Sequence, residues 1–593
     1  MAALVGDCIV DDLSFTFFQF TFIDFTVGHV GYDLDGEGIG AVALLLPQTY
    51  RLYNLELPPS TPPTPSNLLK KSIQILKSNS HKRNPTIPPD SIDVTLVRRS
   101  FDSRRKTLRT SGPVFNHVID VCLSSQCSQI LGEIKTINGK IERLPPSPSL
   151  PPSTPTLSFK KKPTIIITGS GPSGLFSALL LSRTKLFKIV LLERGQPVES
   201  RGKDIGKLIH RNQINPESNF AYGEGGAGTW SDGKLTTRIG RNSKSVRFVL
   251  SCFVKFGAPE WILTSGSPHL GTDNLVKILR EMRKEIRSLG GEIRFGAKVT
   301  SLGYPENGTV KKVRVEYSDV IERGLGKEET ERINRMARER VEIGSEDIGH
   351  SARDVYKMLH KEKIPLKPKP FAVGFRIEHP QSLINSLQYK EYSDQVVTGK
   401  KGTDLANGSK DIVEGVLPVA SYRLATDLGY DGKINRPVYS FCMCPGGQIV
   451  PASTSEEETV VNGMSFSKRD SEFANSAVVV GVGEEGDEVL EEYWEKWGVL
   501  GGMYFQEDIE RKSRELGGSN FTVPVQRLPN FLNSTLSPTL PKSSYRLPKK
   551  SSPLHTVYPP PNNQLPKARN NRNIRTTNSW LPRRIRVAAW RGD

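Results

Sequence analysis

One stretch decides the fold class of this 593-residue chain, and its sequence is Pro163-Thr-Ile-Ile-Ile-Thr-Gly169-Ser-Gly171-Pro-Ser-Gly174. A buried strand over 165–167 leads into a sharp turn and then into a helical run over 175–183. Gly169 permits the tight turn, Gly171 lets a pyrophosphate approach the helix N-terminus, and Gly174 allows the helix to pack closely on the strand. The pattern predicts the start of a Rossmann-type, dinucleotide-binding α/β domain.

The second strand of that domain supports the prediction. The run Lys188-Ile-Val-Leu-Leu is followed by Glu193, 19 residues beyond Gly174, where a carboxylate can bind both ribose hydroxyls of an adenine dinucleotide. We expect Ser170, Ser173 and Arg194 to contribute to the same cofactor site. A glycine-rich turn in another kind of α/β unit is the alternative, and the register of strand, helix and acid disfavours it.

A second glycine-dense segment covers 219–235 and carries three large aromatic side chains. Such a loop can lie against a large planar ligand with its N–H groups turned inward. We therefore predict further cofactor contacts at Gly226, Gly228 and Thr229. A surface hairpin is the alternative, but it would leave the aromatic side chains in water.

Composition limits the class of protein. The chain holds 81 Lys and Arg against 63 Asp and Glu, a net charge of +18. Residues 51–162 and 541–593 each carry +11, whereas 163–540 is nearly neutral. The basic character that could attract nucleic acid is therefore concentrated in the arms. For the basic tail we favour a solvated arm over a nucleic-acid site, so no specific nucleic-acid partner is expected.

Cysteine usage and hydropathy point to a soluble intracellular protein. The six cysteines are too few and too scattered for a disulfide scaffold, which favours a reducing compartment. No uncharged apolar run approaches the ~18 residues that a membrane span needs. The acidic N-terminus does not resemble a secretory signal or a transit peptide. We expect a cytoplasmic or plastid location and no membrane association.

Changes in composition divide the chain into six predicted segments. The small second segment is expected to contain strands at 50–57, 92–97 and 114–122 and a helix at 67–76. The predicted segments are an unassigned acidic and aromatic stretch (1–46), a small α+β domain (47–125), a Pro/Ser-rich linker (126–162), the Rossmann-type domain (163–354, with an atypical charged insert at 319–347), a second α+β capping domain (355–545) and a basic tail (546–593).

The motifs resemble a family of FAD-dependent dehydrogenases in the two-dinucleotide-binding flavoprotein superfamily. The resemblance implies FAD as cofactor, with Gly171 and Ser173 near the pyrophosphate and Glu193 on the ribose. It also implies an oxidoreductase acting on an unknown small-molecule substrate. The resemblance covers roughly residues 50–125 and 163–545 and includes Gly169–Gly174, Glu193-Arg194-Gly195, His269–Asn274, Gly349–Asp354, Lys369–His379, Tyr439–Gly447 and Asn462–Asp470.

The chain departs from the family pattern in three places. Residues 319–347 are highly charged where the family has an apolar strand that closes the FAD fold. A closing dinucleotide-fold segment is missing after about residue 545, and residues 1–46 have no counterpart. These departures support an alternative function: a non-catalytic or degenerate flavin- or nucleotide-binding protein, associated with RNA through its basic arms. An error in the gene model would produce the same pattern.

The catalytic candidates are Cys442, Cys444 and His350. The two cysteines form a C-x-C before a Gly-Gly turn, and a redox dithiol of this kind requires a lowered thiol pKa. A structural pair on a strand is the alternative. Metal binding normally takes four ligands in paired motifs, and no second pair occurs, so no metal is predicted. His350 can face substrate or be a structural histidine.

A second match to the fingerprint spacing occurs at Gly481-Val-Gly483-Glu-Glu-Gly486. Glu484 and Glu485 would repel a pyrophosphate at the helix N-terminus, and no acid-terminated strand follows. We interpret this segment as a turn rather than as an NAD(P) site.

Overall fold

The structure is a computed structural model. It describes residues 48–58, 61, 63–82, 85–102, 112–144, 162–237, 243–303, 312–318, 345–346, 351–396, 417–428, 436–483, 487–518, 521–533 and 535–545. The predicted segments 1–46 and 546–593, most of the charged insert, and the candidate His350 lie outside these residues.

The N-terminal domain has the strands and the helix expected from its sequence. Its elements are β1 (Gln48–Leu57), α1 (Pro65–Ser78), β2 (Ile92–Asp102), β3 (Val114–Leu123), α2 (Ser125–Leu131) and β4 (Ile141–Leu144). The strands form an antiparallel sheet in the order β2-β3-β1-β4. Leu52 and Ile119 of the sheet and Leu76 of α1 belong to one buried apolar cluster, so the apolar face of the helix covers one face of the sheet.

The linker predicted over 126–162 begins too early. Helix α2 and strand β4 lie inside that range, and β4 pairs with β1. Cys127 and Leu131 of α2 are completely buried in the core of the domain. The Ser and Gln residues around them made the segment appear linker-like, although Ser124 caps the helix through the N–H of Cys127 at 3.1 Å. The small domain therefore extends to residue 144.

The dinucleotide-binding domain is built around a parallel sheet. Its elements are β5 (Thr164–Thr168), α3 (Pro172–Thr184), β6 (Lys188–Leu192), α4 (Val198–Arg211), α5 (Lys244–Lys255), α6 (Thr272–Ser288), β7 (Glu292–Arg294), β8 (Ala297–Gly303), β9 (Lys312–Tyr317), β10 (Ser345–Glu346) and α7 (Arg353–Lys361). The parallel strands have the order β10-β5-β6-β7, and β8 and β9 form an antiparallel hairpin. Ile167, Leu179, Phe253 and Met282 pack together, so α3, α5 and α6 share one core with the sheet. The expected Rossmann-type α/β fold is confirmed.

The insert at 319–347 was expected to lack the strand that closes this sheet, and that expectation is wrong at its C-terminal end. Strand β10 pairs in parallel with β5, at Ser345 with Ile167 and at Glu346 with Thr168. The ladder between strands is made by main-chain groups. Two polar residues can therefore occupy this edge without the apolar pattern by which sequence analysis recognises a buried strand.

The second domain contains an antiparallel sheet flanked by helices. Its elements are β11 (Phe371–Pro380), α8 (Gln381–Tyr389), β12 (Ala425–Leu428), β13 (Arg436–Cys444), β14 (Gln448–Pro451), β15 (Val461–Met464), β16 (Phe473–Val482), α9 (Glu488–Trp497), α10 (Gly501–Gly517) and α11 (Leu528–Leu532). The main sheet has the order β11-β16-β13-β12, and β14 pairs with β15. All of these pairings are antiparallel.

The turn that follows β16 differs from a dinucleotide fingerprint. Both neighbours of β16 are antiparallel to it, whereas the fingerprint belongs to a parallel βαβ unit. The carboxylate of Asp487 accepts hydrogen bonds from the N–H of Gly483 at 2.8 Å and of Val489 at 3.0 Å. An acid of the chain itself thus caps α9 where a pyrophosphate would have to bind, which supports the interpretation as a turn.

Polar contacts join the second domain to the dinucleotide-binding domain. Each places a charged side chain of one domain against a partner in the other, and several of these side chains are mostly buried. The contacts are Asp232–Arg469, Asp273–Ser467, Arg353–Glu458, Arg353–Glu510 and Lys357–Glu507. Within the part of the chain described, no helix has the length and apolar character needed to cross a membrane.

Candidate functional site

A cavity of about 1360 Å³ lies between the dinucleotide-binding domain and the sheet of the second domain. Its volume exceeds the roughly 300–1,000 Å³ typical of a small-molecule pocket. One wall comes from the first βαβ unit and the glycine-dense loop, and the opposite wall from β11, β16 and α10. Residues important below are Gly169, Gly171, Ser173, Glu193, Arg194 and Gly226 on the first wall, and Arg376, His379, Asn462 and Glu510 on the second.

The N-terminus of α3 opens into this cavity through Gly171. Gly171 is the N-cap residue and provides no side chain to cap the helix. A Cβ placed on Gly171 would meet no atom within 4 Å, so the space beside it is open. A Cβ on Gly174, in contrast, would lie 2.0 Å from the carbonyl oxygen of Gly169. The two glycines therefore serve different purposes: Gly174 allows the packing, and Gly171 leaves room for an anion at the helix N-terminus.

The Glu193 carboxylate holds the surrounding loops together. Its Oε2 accepts hydrogen bonds from the N–H and the hydroxyl of Ser170, at 2.8 and 2.7 Å. Its Oε1 accepts from the N–H groups of Gly195 at 2.8 Å and Gly223 at 3.2 Å. Four donors of the chain thus surround this buried carboxylate. The predicted contact between Glu193 and a ribose stays a prediction, and the residue has a structural role that sequence analysis did not foresee.

Arg201 carries the opposite charge and lies under the glycine-dense loop. Its side chain is completely buried and donates to the carbonyl oxygens of Asn219, Phe220, Gly223 and Glu224 at 2.7–3.2 Å. Burial lowers the pKa of Arg201 to about 10, so the guanidinium remains charged at neutral pH. A single cation therefore satisfies a cluster of buried carbonyl groups that would otherwise be costly to desolvate.

The predicted cofactor residues occupy three places. Six of them line the large cavity, as given above. Ser170 and Gly174 lie behind that wall, where both are buried. Gly228 and Thr229 instead line a small apolar pocket of about 50 Å³ next to Pro172 and Lys234. The structure thus brings most of the set together around one helix N-terminus.

Arg194 is part of an ion-pair network at the edge of the cavity. Its guanidinium bonds to Glu217 at 2.7 Å and Asp354 at 2.9 Å and stacks over the ring of Tyr222 at 4.0 Å. This network connects the first βαβ unit to α7. Any contact that Arg194 makes with a cofactor would use a side chain already fixed in place by these partners.

Sequence analysis missed an acidic pair at the far wall, of which Glu510 lines the cavity. Glu510 and Glu458 share the guanidinium of Arg353, at 2.9 Å and 2.8 Å. Burial, together with the nearby Glu458, raises the pKa of Glu510 to about 7, although Arg353 opposes the rise. Arg353 belongs to the Gly349–Asp354 motif, which was the available signal, but the two acids come from distant parts of the chain.

The two candidate cysteines lie beside the cavity rather than on its wall. Cys442 is half-buried and Cys444 is buried, both at the end of β13. Arg376, which does line the cavity, donates to the carbonyl oxygen of Cys442 at 2.6 Å. Within the described residues, no group of three or more His, Cys, Asp or Glu side chains is placed to hold a metal ion.

These observations define a class of protein. A parallel α/β domain with an open helix N-terminus, an acid after its second strand and a large cavity facing a second domain is the architecture of a dinucleotide-binding flavoprotein. Space for a pyrophosphate at Gly171, and room in the cavity for a larger molecule, are features that FAD requires.

Comparisons with known proteins agree with this class. Residues 370–571 match the family model described as FAD-dependent protein, C-terminal domain-like. An "Uncharacterized protein" of Clostridium beijerinckii is 34% identical over 473 residues, which cover 80% of this chain and 77% of the relative. The chain therefore belongs to this family of FAD-dependent proteins. Its cofactor is FAD, as expected.

Solved structures show weaker likenesses. THI4 of Thermovibrio ammonificans is 17% identical, with 35% of this chain and 67% of that chain covered and a TM-score of 0.21. CtdE, solved in complex with FAD, is 14% identical, with 58% and 68% covered and a TM-score of 0.19. Similarity at this level does not indicate a shared activity.

The cradle can be tested with two glycine substitutions. We expect Gly171→Val to fold normally, because its side chain enters open space, but to lose FAD because that space receives the pyrophosphate. Gly174→Val is the matched control and should destabilise the fold itself, because the new side chain collides with Gly169. Thermal unfolding of flavin-free protein and flavin retained after dialysis measure the two effects. A Gly171→Val protein that retains stoichiometric FAD would contradict the assignment.

The buried guanidinium gives a second prediction. Arg201→Met should destabilise flavin-free protein by roughly 3–5 kcal/mol, because four carbonyl groups lose their donor and Glu193 loses a nearby positive charge. Arg211→Met, at the exposed end of the same helix, is the control and should change stability little. Urea unfolding measures both, and equal stability of the two variants would show that Arg201 does not support the loop.

Proposed function

We propose that the protein is an FAD-dependent dehydrogenase that oxidises a small molecule in the cavity between its two larger domains. The observation that carries the proposal is the extent of the cavity. It runs from the pyrophosphate cradle at Gly171 to Glu510 on the opposite wall. A dinucleotide at one end would leave space for a second molecule next to residues of the second domain.

Dehydrogenation removes a hydride and a proton from a substrate, and FAD, when bound, accepts the hydride. The protein must then supply a group that accepts the proton from the substrate O–H or N–H. Glu510 is suited to this role, because it lines the cavity and has a pKa near 7. Arg353 fixes the orientation of the carboxylate, and Glu458 on the same guanidinium disfavours a second negative charge.

His379 also lines the cavity, and it has a polar partner behind the wall. The Nε2 of His379 lies 2.9 Å from the hydroxyl of Tyr422. Burial lowers the pKa of His379 to about 4, so this imidazole is neutral at physiological pH. A neutral histidine held by a tyrosine hydroxyl can form a hydrogen bond to substrate without bringing a charge into the cavity.

The reaction type can be tested with purified holoprotein. We expect anaerobic reduction of an artificial electron-acceptor dye when the protein is supplied with a panel of alcohols, 2-hydroxy acids and amino acids. The same reactions carried out under isotopically labelled oxygen should place no label in the product. Labelled oxygen in the product would contradict dehydrogenation and indicate an oxygenase.

The role of Glu510 predicts a pH dependence that can be measured without a substrate. Its folded-state pKa, about 7, lies above the ordinary value of 4.5, so the folded protein binds this proton more tightly than the unfolded chain. The protonated Glu510 therefore contributes to the free energy of unfolding. This contribution is fully present below about pH 4.5 and is lost as the pH rises through about 7. We expect the free energy of unfolding to fall by roughly 1–3 kcal/mol as the pH rises from about 4.5 to about 7.

Two glutamine variants isolate this effect. Glu510→Gln should remove the Glu510 contribution to the pH dependence and abolish dye reduction. Glu507→Gln changes an acid on the same helix that is paired with Lys357, and it is the control. This variant should retain both the pH dependence of stability and the reduction of the dye. A Glu510→Gln protein with undiminished dye reduction would show that another group accepts the proton.

A further inference from the structure

The Cys442-Met-Cys444 segment has an unusual backbone. Strand β13 slips in register against β16 between Phe441 and Cys444, which is the sign of a bulge. Cys442 within it has a φ of 45°, in the left-handed region that non-glycine residues rarely adopt. Bulges and strained residues of this kind are frequent next to active sites, where they redirect a side chain.

The bulge brings the two thiols together. The Cys444 thiol donates a hydrogen bond to the carbonyl oxygen of Cys442 at 3.3 Å, and the two thiols are close enough to shift each other's pKa. Cys442 is half-buried, whereas Cys444 is completely buried. This arrangement pairs one accessible thiol with one protected thiol within reach of it.

Several charged groups surround the pair. Lys234 ion-pairs with the buried Asp232 at 2.6 Å, and Arg469 binds the same carboxylate at 3.1 Å. Arg376 is also close, with its Nη2 3.9 Å from the Sγ of Cys444. His269, which forms a backbone bridge with Lys234, is buried. The net charge around the thiols therefore favours a thiolate.

The surrounding groups shift the pKa values of the two thiols in opposite directions. The interaction with the Cys444 thiol, together with Lys234 and Arg376, lowers the pKa of Cys442 to about 5, despite its burial. The interaction with Cys442, together with burial, raises the pKa of Cys444 well above its ordinary value. Cys127, in the core of the small domain, shows the ordinary effect of burial, which raises the pKa of its thiol. Cys442 is thus set apart from an ordinary buried cysteine.

Two connections link the thiol pair to the cofactor cradle. The glycine-dense loop has Gly226 next to Gly171 at one end, with a Cβ on Gly226 only 3.5 Å from the Gly171 Cα, and Lys234 beside the thiols at the other. On the other side, Arg376 lines the cavity and binds the Cys442 carbonyl. The pair therefore lies at the margin of the cavity that receives FAD.

We propose that Cys442 and Cys444 form a redox-active dithiol that exchanges two electrons with FAD bound in the cavity. This inference rests on the proposed function, since it names the partner to which the reduced cofactor passes its electrons or from which it receives them. The Cys442 thiolate and the Cys444 S–H form an S–S bond and give up two electrons and one proton. Oxidised FAD takes up both electrons and the proton and becomes the reduced flavin anion, and the reverse step reduces the disulfide.

An anaerobic reductive titration of the holoprotein tests the proposal. Protein oxidised with glutathione disulfide and then desalted should take up about four electrons per bound FAD from dithionite, two for the flavin and two for the disulfide. Cys442→Ser and Cys444→Ser should each take up only about two. Cys122→Ser, which removes a half-buried cysteine from the small domain, is the matched control and should still take up about four.

Thiol labelling gives a second measurement that needs no variant. Alkylation followed by peptide mass spectrometry should find Cys442 and Cys444 both blocked before the titration and both reactive after it. Retained FAD with an uptake of about two electrons, and both thiols reactive throughout, would overturn the dithiol while leaving the proposed function intact. A protein that binds no FAD yet still forms the disulfide would overturn the flavin step, and with it the proposed function.

Discussion

The shape of the predicted dinucleotide site depends on two buried, opposite charges, which form hydrogen bonds with backbone groups of the glycine-dense loop and of the turns next to it. The Glu193 carboxylate accepts from the N–H groups at 170, 195 and 223, and the Arg201 guanidinium donates to carbonyl groups at 219–224. A glycine-rich loop has little side-chain packing with which to hold one conformation. Charged hydrogen bonds supply what packing cannot, and they fix the shape of the wall next to Gly171.

The rest of the active region is built outward from this loop. Its far end carries Asp232, which binds Arg469 of the second domain, and Lys234, which ion-pairs with Asp232 and lies beside the Cys442 thiol. The opposite wall is fixed by Arg353, which holds Glu458 and Glu510. Two chemically unusual groups lie close to these interdomain contacts. They are Glu510, whose pKa is raised by burial, and Cys442, whose pKa is lowered by Cys444, Lys234 and Arg376.

Sequence patterns predicted the parts that local geometry determines. The glycine spacing predicted the strand, tight turn and helix that line the cavity, because these elements leave few residue choices over so short a distance. The roles of Arg201 and Glu510 could not be predicted, since each depends on partners brought together by the tertiary fold. The same limit explains the misplaced linker boundary, where the role of Cys127 as a core residue becomes visible only once α2 packs on the sheet.

The most direct test of the account is a crystal structure of the protein with FAD. We predict the pyrophosphate in the space beside Gly171, at the N-terminus of α3, with the hydrogen bonds of Glu193 and Arg201 to the loop unchanged from those described above. A pyrophosphate bound elsewhere in the cavity, or a Glu193 carboxylate that does not bind the N–H groups of Ser170 and Gly223, would contradict this account of the site.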